Sequence, residues 1–157
     1  MASPISVKIE VPSLMKKYLE FQSELSGDII EFSRKHQYNI LLLKLVSNYR
    51  FSEINQEDEN FTGDSYVKIR LPFSDRKDVY FYNYMSRQSK ITFRHEVNLD
   101  FLYEFKRFIR NSIMQGQQRK IAIEQFLEKY NISEDELKYE SLYRKYTRYL
   151  NKSKLTL

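Results

Sequence analysis

Apolar and polar residues alternate from Ile5 to Val11. Ile5, Val7, Ile9 and Val11 fall on one side, Ser6, Lys8 and Glu10 on the other. Period two predicts a half-buried strand. Pro12-Ser13 then marks the strand end and a helix cap. Over Leu14 to Leu25 the residues Leu14, Tyr18, Phe21 or Gln22, and Leu25 recur at helical spacing, with Gly27 as the expected stop. Ile29, Ile30 and Phe32 suggest a short extended piece. From Gln37 to Asn48 the run containing Ile40, Leu41, Leu43, Leu45 and Val46 reads as a buried helix or strand, and its length favours the helix.

Glu53 to Asp64 is polar and acidic and predicts a loop. Three strands are expected after it: Tyr66–Leu71, ending at Pro72; the aromatic Asp78–Tyr84; and the short Lys90–Arg94. Ser74–Lys77 and Ser86–Ser89 are the expected turns. From Glu96 the pattern becomes helical, with Asn98 as a cap. Phe101, Phe105, Phe108, Ile109, Ser112 and Ile113 share one face, and Lys106, Arg107 and Arg110 lie away from it. Gly116 ends that helix. The following one is expected to bury Ala122, Ile123, Phe126, Leu127 and Tyr130, and Asn131 suits the left-handed residue that closes it. Ser133 with Glu136 fits a capping box for a last, tyrosine-rich helix. Neither a repeat nor a low-complexity segment is visible.

The order predicts an α+β fold: a small antiparallel sheet from Ile5–Val11, Tyr66–Leu71, Asp78–Tyr84 and Lys90–Arg94 packed with helices, then a C-terminal three-helix unit. Residues 1–95 would form the α+β part and residues 96–157 the basic helical part, packed as one globular unit.

Charge sharpens this division. Residues 106–157 carry 12 Lys+Arg and 6 Asp+Glu, a net of +6, whereas the whole chain is +5. A localised basic surface is the usual footprint of a protein that meets a polyanion. The absence of cysteine excludes disulfides, thiolate metal sites and Cys nucleophiles. Met1 to Lys8 lacks the apolar core of a signal peptide. The longest apolar run, Ile40 to Leu43, falls far short of the roughly 20 residues of a membrane span. An intracellular protein without a membrane partner is expected.

Phe126 to Leu137 resembles the helix–turn–helix unit of small bacterial and phage DNA-binding proteins. Asn131, Ile132 and Ser133 would fill the left-handed, buried aliphatic and Ser places of the turn, and Leu137 the core place of the second helix. The family's usual Gly is replaced by Asn131. Glu134, Asp135 and Glu136 stand where such motifs approach base edges. The resemblance implies DNA binding, by a regulator or architectural factor of phage or mobile-element style. Phosphate contact would then fall to later turns. Arg144, Lys145, Arg148 and Lys152 share one side of the last helix, and Leu142, Tyr146, Tyr149 and Leu150 much of the other. Arg119 and Lys120 complete the expected contact set, with Lys106, Arg107 and Arg110 as a supporting stripe; each would neutralise phosphate.

Other constellations are weaker. Tyr80, Tyr82 and Tyr84 would share one strand face beside Arg76, Lys77, Arg87 and Lys90, a pattern that can stack single-stranded bases. Core packing is the expected role of these rings. His36 and His95 are far apart; His95-Glu96 reads as a surface or helix-start feature. Asp75/Asp78 and Glu57/Asp58/Glu59 lack any cation-loop pattern. No phosphate-binding loop or hydrolase motif is present. A nucleophilic Tyr would need clustered Arg and His, which are not seen. The expectation is a non-enzymatic protein with no cofactor and no metal. Its partner would be a nucleic acid, DNA above others, or an acidic protein, with homo-oligomers left open. The competing class is a protein-interaction or virion-assembly component whose aromatic and basic surfaces are subunit interfaces.

Overall fold

The computed structural model describes residues 5–23, 27–48, 65–133, 144–145 and 147–148. The fold is α+β. In chain order the elements are β1 (Ser6–Glu10), α1 (Ser13–Gln22), β2 (Ile29–Ile30), α2 (Gln37–Leu45), β3 (Ser47–Asn48), β4 (Tyr66–Arg70), β5 (Tyr82–Tyr84), α3 (Arg87–Met114) and α4 (Arg119–Lys129). Arg144, Lys145, Thr147 and Arg148 are also helical. The chain divides into two compact units, residues 1–98 and 99–157, and the division falls within α3.

In the first unit β4 is central. β1 pairs with it antiparallel, setting Val7 opposite Ile69 and Ile9 opposite Val67. β2 pairs with its other edge in parallel, setting Ile30 opposite Ile69. These β-branched residues are buried, while Lys8 and Glu10 face out, as the alternation requires. The sheet is therefore mixed, not antiparallel throughout. β5 does not join it: Tyr82–Tyr84 pairs with β3 in a separate two-stranded ladder. The rest of the expected Asp78–Tyr84 strand is a turn. The Asp78 carboxylate accepts from the Tyr80 N–H (3.0 Å), and the Asp78 carbonyl accepts from the Phe81 and Tyr82 N–H groups. An Asp that bonds its own following backbone competes with the ladder and wins here.

Helix α1 buries Met15, Tyr18 and Leu19, one step around from the expected stripe, and leaves Phe21 exposed. Pro12 stands at its cap without a side-chain bond. It stops at Gln22, before the expected Gly27, because Ser23 is extended and its hydroxyl donates to the Glu20 carbonyl at 2.7 Å. Helix α2 forms as expected but ends three residues early, at Leu45, where the chain becomes β3. Its start is capped by His36, whose Nδ1 accepts from the Tyr38 N–H. Its end is capped from afar: Lys77 Nζ donates to the Leu43 and Val46 carbonyls at 2.7 and 3.0 Å. A cation at a helix C-terminus also opposes the helix dipole favourably.

The largest correction concerns residues 86–98. Lys90–Arg94 is not a strand, Ser86–Ser89 is not a free-standing turn, and Asn98 caps nothing. All of Arg87–Met114 is one helix of 28 residues. Ser86 starts it, its Oγ accepting from the Ser89 N–H at 3.1 Å. Phe93, Val97, Phe101, Phe105 and Ile109 repeat every four residues, and all five are buried. Five residues of alternation around Ile91 and Phe93 imitate a strand; the longer repeat is helical. Phe93 belongs to the first unit's core, with its ring 5.9 Å from that of Tyr38.

Candidate nucleic-acid interface

The second unit is built on ring contacts. Phe126 of α4 lies 5.5 Å from Phe101, 5.2 Å from Phe105, 5.6 Å from Phe108 and 4.9 Å from Tyr130. Edge-to-face and tilted pairs at these distances add to the area they bury. The predicted face of α4, Ala122, Ile123, Phe126, Leu127 and Tyr130, is buried in full. On α3, Phe101, Phe105, Ile109 and Ser112 are buried, and Phe108 and Ile113 are half-buried.

Both helix ends follow one rule. After α3 the Gly116 N–H donates to Ile113 and the Gln117 N–H to Ser112, with Gly116 at φ +90°. After α4 the Asn131 N–H donates to Glu128 and the Ile132 N–H to Leu127, with Asn131 at φ +54°. These are paired bonds of the left-handed helix stop, and the aliphatic residue after Asn131, Ile132, is buried beside the helix it ends. Asn131 thus takes the backbone role expected of it, and Ser133 lies exposed next to Ile132. The expected capping box and second helix start, Glu134 to Glu136, lie outside the described residues, as does Leu137.

The candidate contact residues sort as follows. Arg119 and Lys120 occupy the first turn of α4 and are exposed. That helix has no side-chain cap bond from Gln118 and no acidic residue in its first turn. Arg144, Lys145 and Arg148 are exposed on helical backbone, with Arg144 and Arg148 four apart. Lys152 lies outside the described residues. On α3, Arg110 is exposed, Lys106 is half-buried, and Arg107 is bound to Glu104 at 3.1 Å. Among the described residues, Arg110, Lys120, Lys145 and Arg148 have no ion-pair partner.

Beside the expected stripe of Lys106, Arg107 and Arg110, the structure places Leu99, Leu102, Tyr103, Asn111 and Met114, which the sequence reading passed over. Leu99, Leu102, Tyr103, Lys106, Arg107, Arg110, Asn111 and Met114 line an open groove of about 650 Å³ on α3. They lie on the side of the helix opposite Phe101, Phe105 and Ile109. The signal was present: Leu99, Tyr103 and Met114 form a second, interrupted stripe at helical spacing, masked by the stronger stripe of Phe residues.

The aromatic constellation of the first unit dissolves as a stacking platform. Tyr80 sits in the turn, Tyr82 and Tyr84 in a three-residue strand, and Lys77 is bound to helix carbonyls. Arg87 and Lys90 are on α3. His36 caps α2 and stacks on Phe32 at 5.0 Å, and His95 is exposed on α3. No three His, Asp or Glu side chains come together as a metal site among the described residues. Glu57, Asp58 and Glu59 lie outside them. The Tyr130 phenol is perturbed by its surroundings. Burial pushes it above its ordinary value, the Glu104 carboxylate adds to the rise, and Arg107 opposes it. Such a phenol stays protonated at neutral pH. No helix among the described residues is long and apolar enough to cross a membrane. No protein-family model matches this chain, and neither does any curated protein or any solved structure.

Proposed function

We propose that this protein binds DNA, as a regulator or architectural factor and without catalysing a reaction, through the second unit. The observation that carries this reading is the exposure of Arg119, Lys120, Arg144, Lys145 and Arg148, outside the aromatic packing that holds the unit together. Cations held on helices can neutralise several phosphates while losing little side-chain freedom, and each neutralised phosphate releases counterions. The first turn of α4 adds backbone N–H groups and the positive end of a helix dipole beside Arg119 and Lys120. Sequence reading is left to no residue in this proposal; the contacts are to the backbone.

The test is a fluorescence-anisotropy titration of random-sequence duplex and single-stranded DNA at two salt concentrations. Wild type is compared with Arg119→Ala/Lys120→Ala and with Arg144→Ala/Lys145→Ala/Arg148→Ala. Five neutralised phosphates give a log–log salt slope of about −4.5 for duplex DNA. The double variant should flatten that slope by about 2 and the triple by about 3. Absence of binding at low salt to either form, or affinity unchanged in both variants, overturns the reading.

A further inference from the structure

The outer side of α3 is built unlike the DNA-contacting surface proposed above. Leu99 is 46% exposed, Tyr103 65% and Met114 77%. Large apolar side chains that stand this far into solvent around a concavity mark an interaction site more often than isolated exposed residues do. From Leu99 to Met114 the groove spans fifteen helical steps, or about 22 Å. That is the length of about four turns of a partner helix. Leu99, Leu102 and Tyr103 stand toward one end and Met114 at the other, with Lys106, Arg107 and Arg110 between them. Among the described lining residues there is no carboxylate. Glu104 holds Arg107 from beside the groove, and Arg110 stands exposed between Tyr103 and Met114.

We infer that this groove docks an acidic amphipathic helix of a protein partner. Apolar side chains of the partner would cover Leu99, Tyr103 and Met114, and its carboxylates would meet Lys106 and Arg110. Charge complementarity of this kind sets orientation and speeds encounter, and the apolar contacts supply most of the affinity. DNA fits the groove less well. Leu99, Leu102 and Met114 offer nothing to phosphate, and a single Tyr is a poor stacking platform. A second copy of the chain would bring Lys106 and Arg110 against their own like charges.

The probe is a labelled helical peptide of about 16 residues, with Leu at i, i+4, i+7 and i+11 and Glu beside them. The control is the same peptide with Gln for Glu. Titration against the full chain should show saturable binding of the acidic peptide, at least about tenfold tighter than the Gln form. Lys106→Ala/Arg110→Ala and Tyr103→Ala/Met114→Ala should each weaken it by about tenfold or more. All four side chains lie outside the aromatic core, and an unchanged melting temperature checks that each variant folds. DNA affinity should persist in Tyr103→Ala/Met114→Ala, which separates failure of this proposal from failure of the DNA reading. Equal binding of the two peptides, absence of saturable binding, or indifference to Tyr103→Ala/Met114→Ala overturns the inference. So does a loss of DNA affinity in Lys106→Ala/Arg110→Ala as large as that in the Arg144/Lys145/Arg148 variant, which would return the stripe to the DNA surface.

Discussion

Residues up to Asn98 bury branched aliphatic side chains between strands far apart in the chain, such as Ile9 and Val67. Residues from Leu99 bury rings between two helices whose connection is only Gln115–Gln118. The cations do not divide along the same line. In the first unit Lys77 caps a helix, Arg70 lies 3.9 Å from Glu31 and Lys8 sits 4.0 Å over the Tyr66 ring, but Lys16, Arg34, Lys35, Lys44 and Arg76 are exposed with no ion-pair partner among the described residues. In the second, Arg107 and Lys129 are held by Glu104 and by aromatic rings, but Arg110, Lys120, Lys145 and Arg148 have no ion-pair partner among the described residues. A pair of helices closes its core with one stripe from each, so its remaining faces stay available for charge. In the small sheet, side chains near helix ends and cross-strand neighbours are drawn into structural bonds. The same residue type therefore carries different weight within each unit, and net charge alone does not reveal which.

The strongest way to break this comparison is to open one core and observe the other. Phe126→Ala removes the ring shared by four aromatic contacts and should cost about 3–5 kcal/mol. Hydrogen exchange should show α4 amides losing protection while β1 and β4 amides keep theirs. Equal loss in both units would mean that they unfold as one and that the division has no energetic meaning.

Next in size is Asn39→Ala in the first unit. Asn39 is buried, and its Nδ2 donates to the Phe32 and Ser33 carbonyls at 3.2 and 2.8 Å. Loss of that tie should cost about 2–3 kcal/mol in denaturant unfolding. An effect below about 0.5 kcal/mol would show that the aliphatic packing alone holds α2 in place.

Gly116→Ala tests the helix stop. Its added Cβ meets nothing within 4 Å, so only backbone strain at φ +90° acts. The expected cost is about 1 kcal/mol. At Asn131 the substitution to Gly should be neutral or slightly stabilising, since the left-handed conformation is already paid for there. Matching changes in sign at the two positions would contradict the shared rule.

The smallest effect concerns pH. The folded-state pKa of Tyr130 is raised, so the folded state holds its proton more tightly than the unfolded state does. Its contribution is fully present below the ordinary tyrosine pKa of about 10 and is lost as pH rises from there through the folded value. Tyr130→Phe should remove part of the alkaline loss of stability above pH 10. Identical alkaline unfolding of variant and wild type would place the sensitive group elsewhere.

Much was legible in the residues themselves. Val7 and Ile9 alternate with Lys8 and Glu10, so the strand and its buried face could be read without the fold. Ala122, Ile123, Phe126, Leu127 and Tyr130 form a helical stripe, and Asn131 follows it in the one place where a left-handed residue ends the helix. The α+β class follows from these local periods. The exposed positions of Arg144, Lys145 and Arg148 agree with the basic side expected of the last helix, whereas Arg119 lies in line with the buried stripe of α4 and is exposed at its first turn.

Tertiary structure decided what local pattern leaves degenerate. Leu14/Tyr18/Phe21 and Met15/Tyr18/Leu19 are both acceptable stripes on α1, and only packing chose the second. Ile91 and Phe93 suit a strand over five residues, but burial every fourth residue from Phe93 to Ile109 stabilises a helix across the whole stretch. Strand partners are chosen by contacts distant in sequence, which is why β2 runs parallel to β4 and β5 pairs with β3. The groove on α3 has the same origin: Leu99, Tyr103 and Met114 are apolar and helical in the sequence, and only the packing of Phe101 and Phe105 against Phe126 determines that their side is left exposed. Local sequence sets periods and stops because those depend on backbone bonds a few residues apart. The choice of buried face and strand partner depends on the free energy of removing distant apolar surfaces from water together.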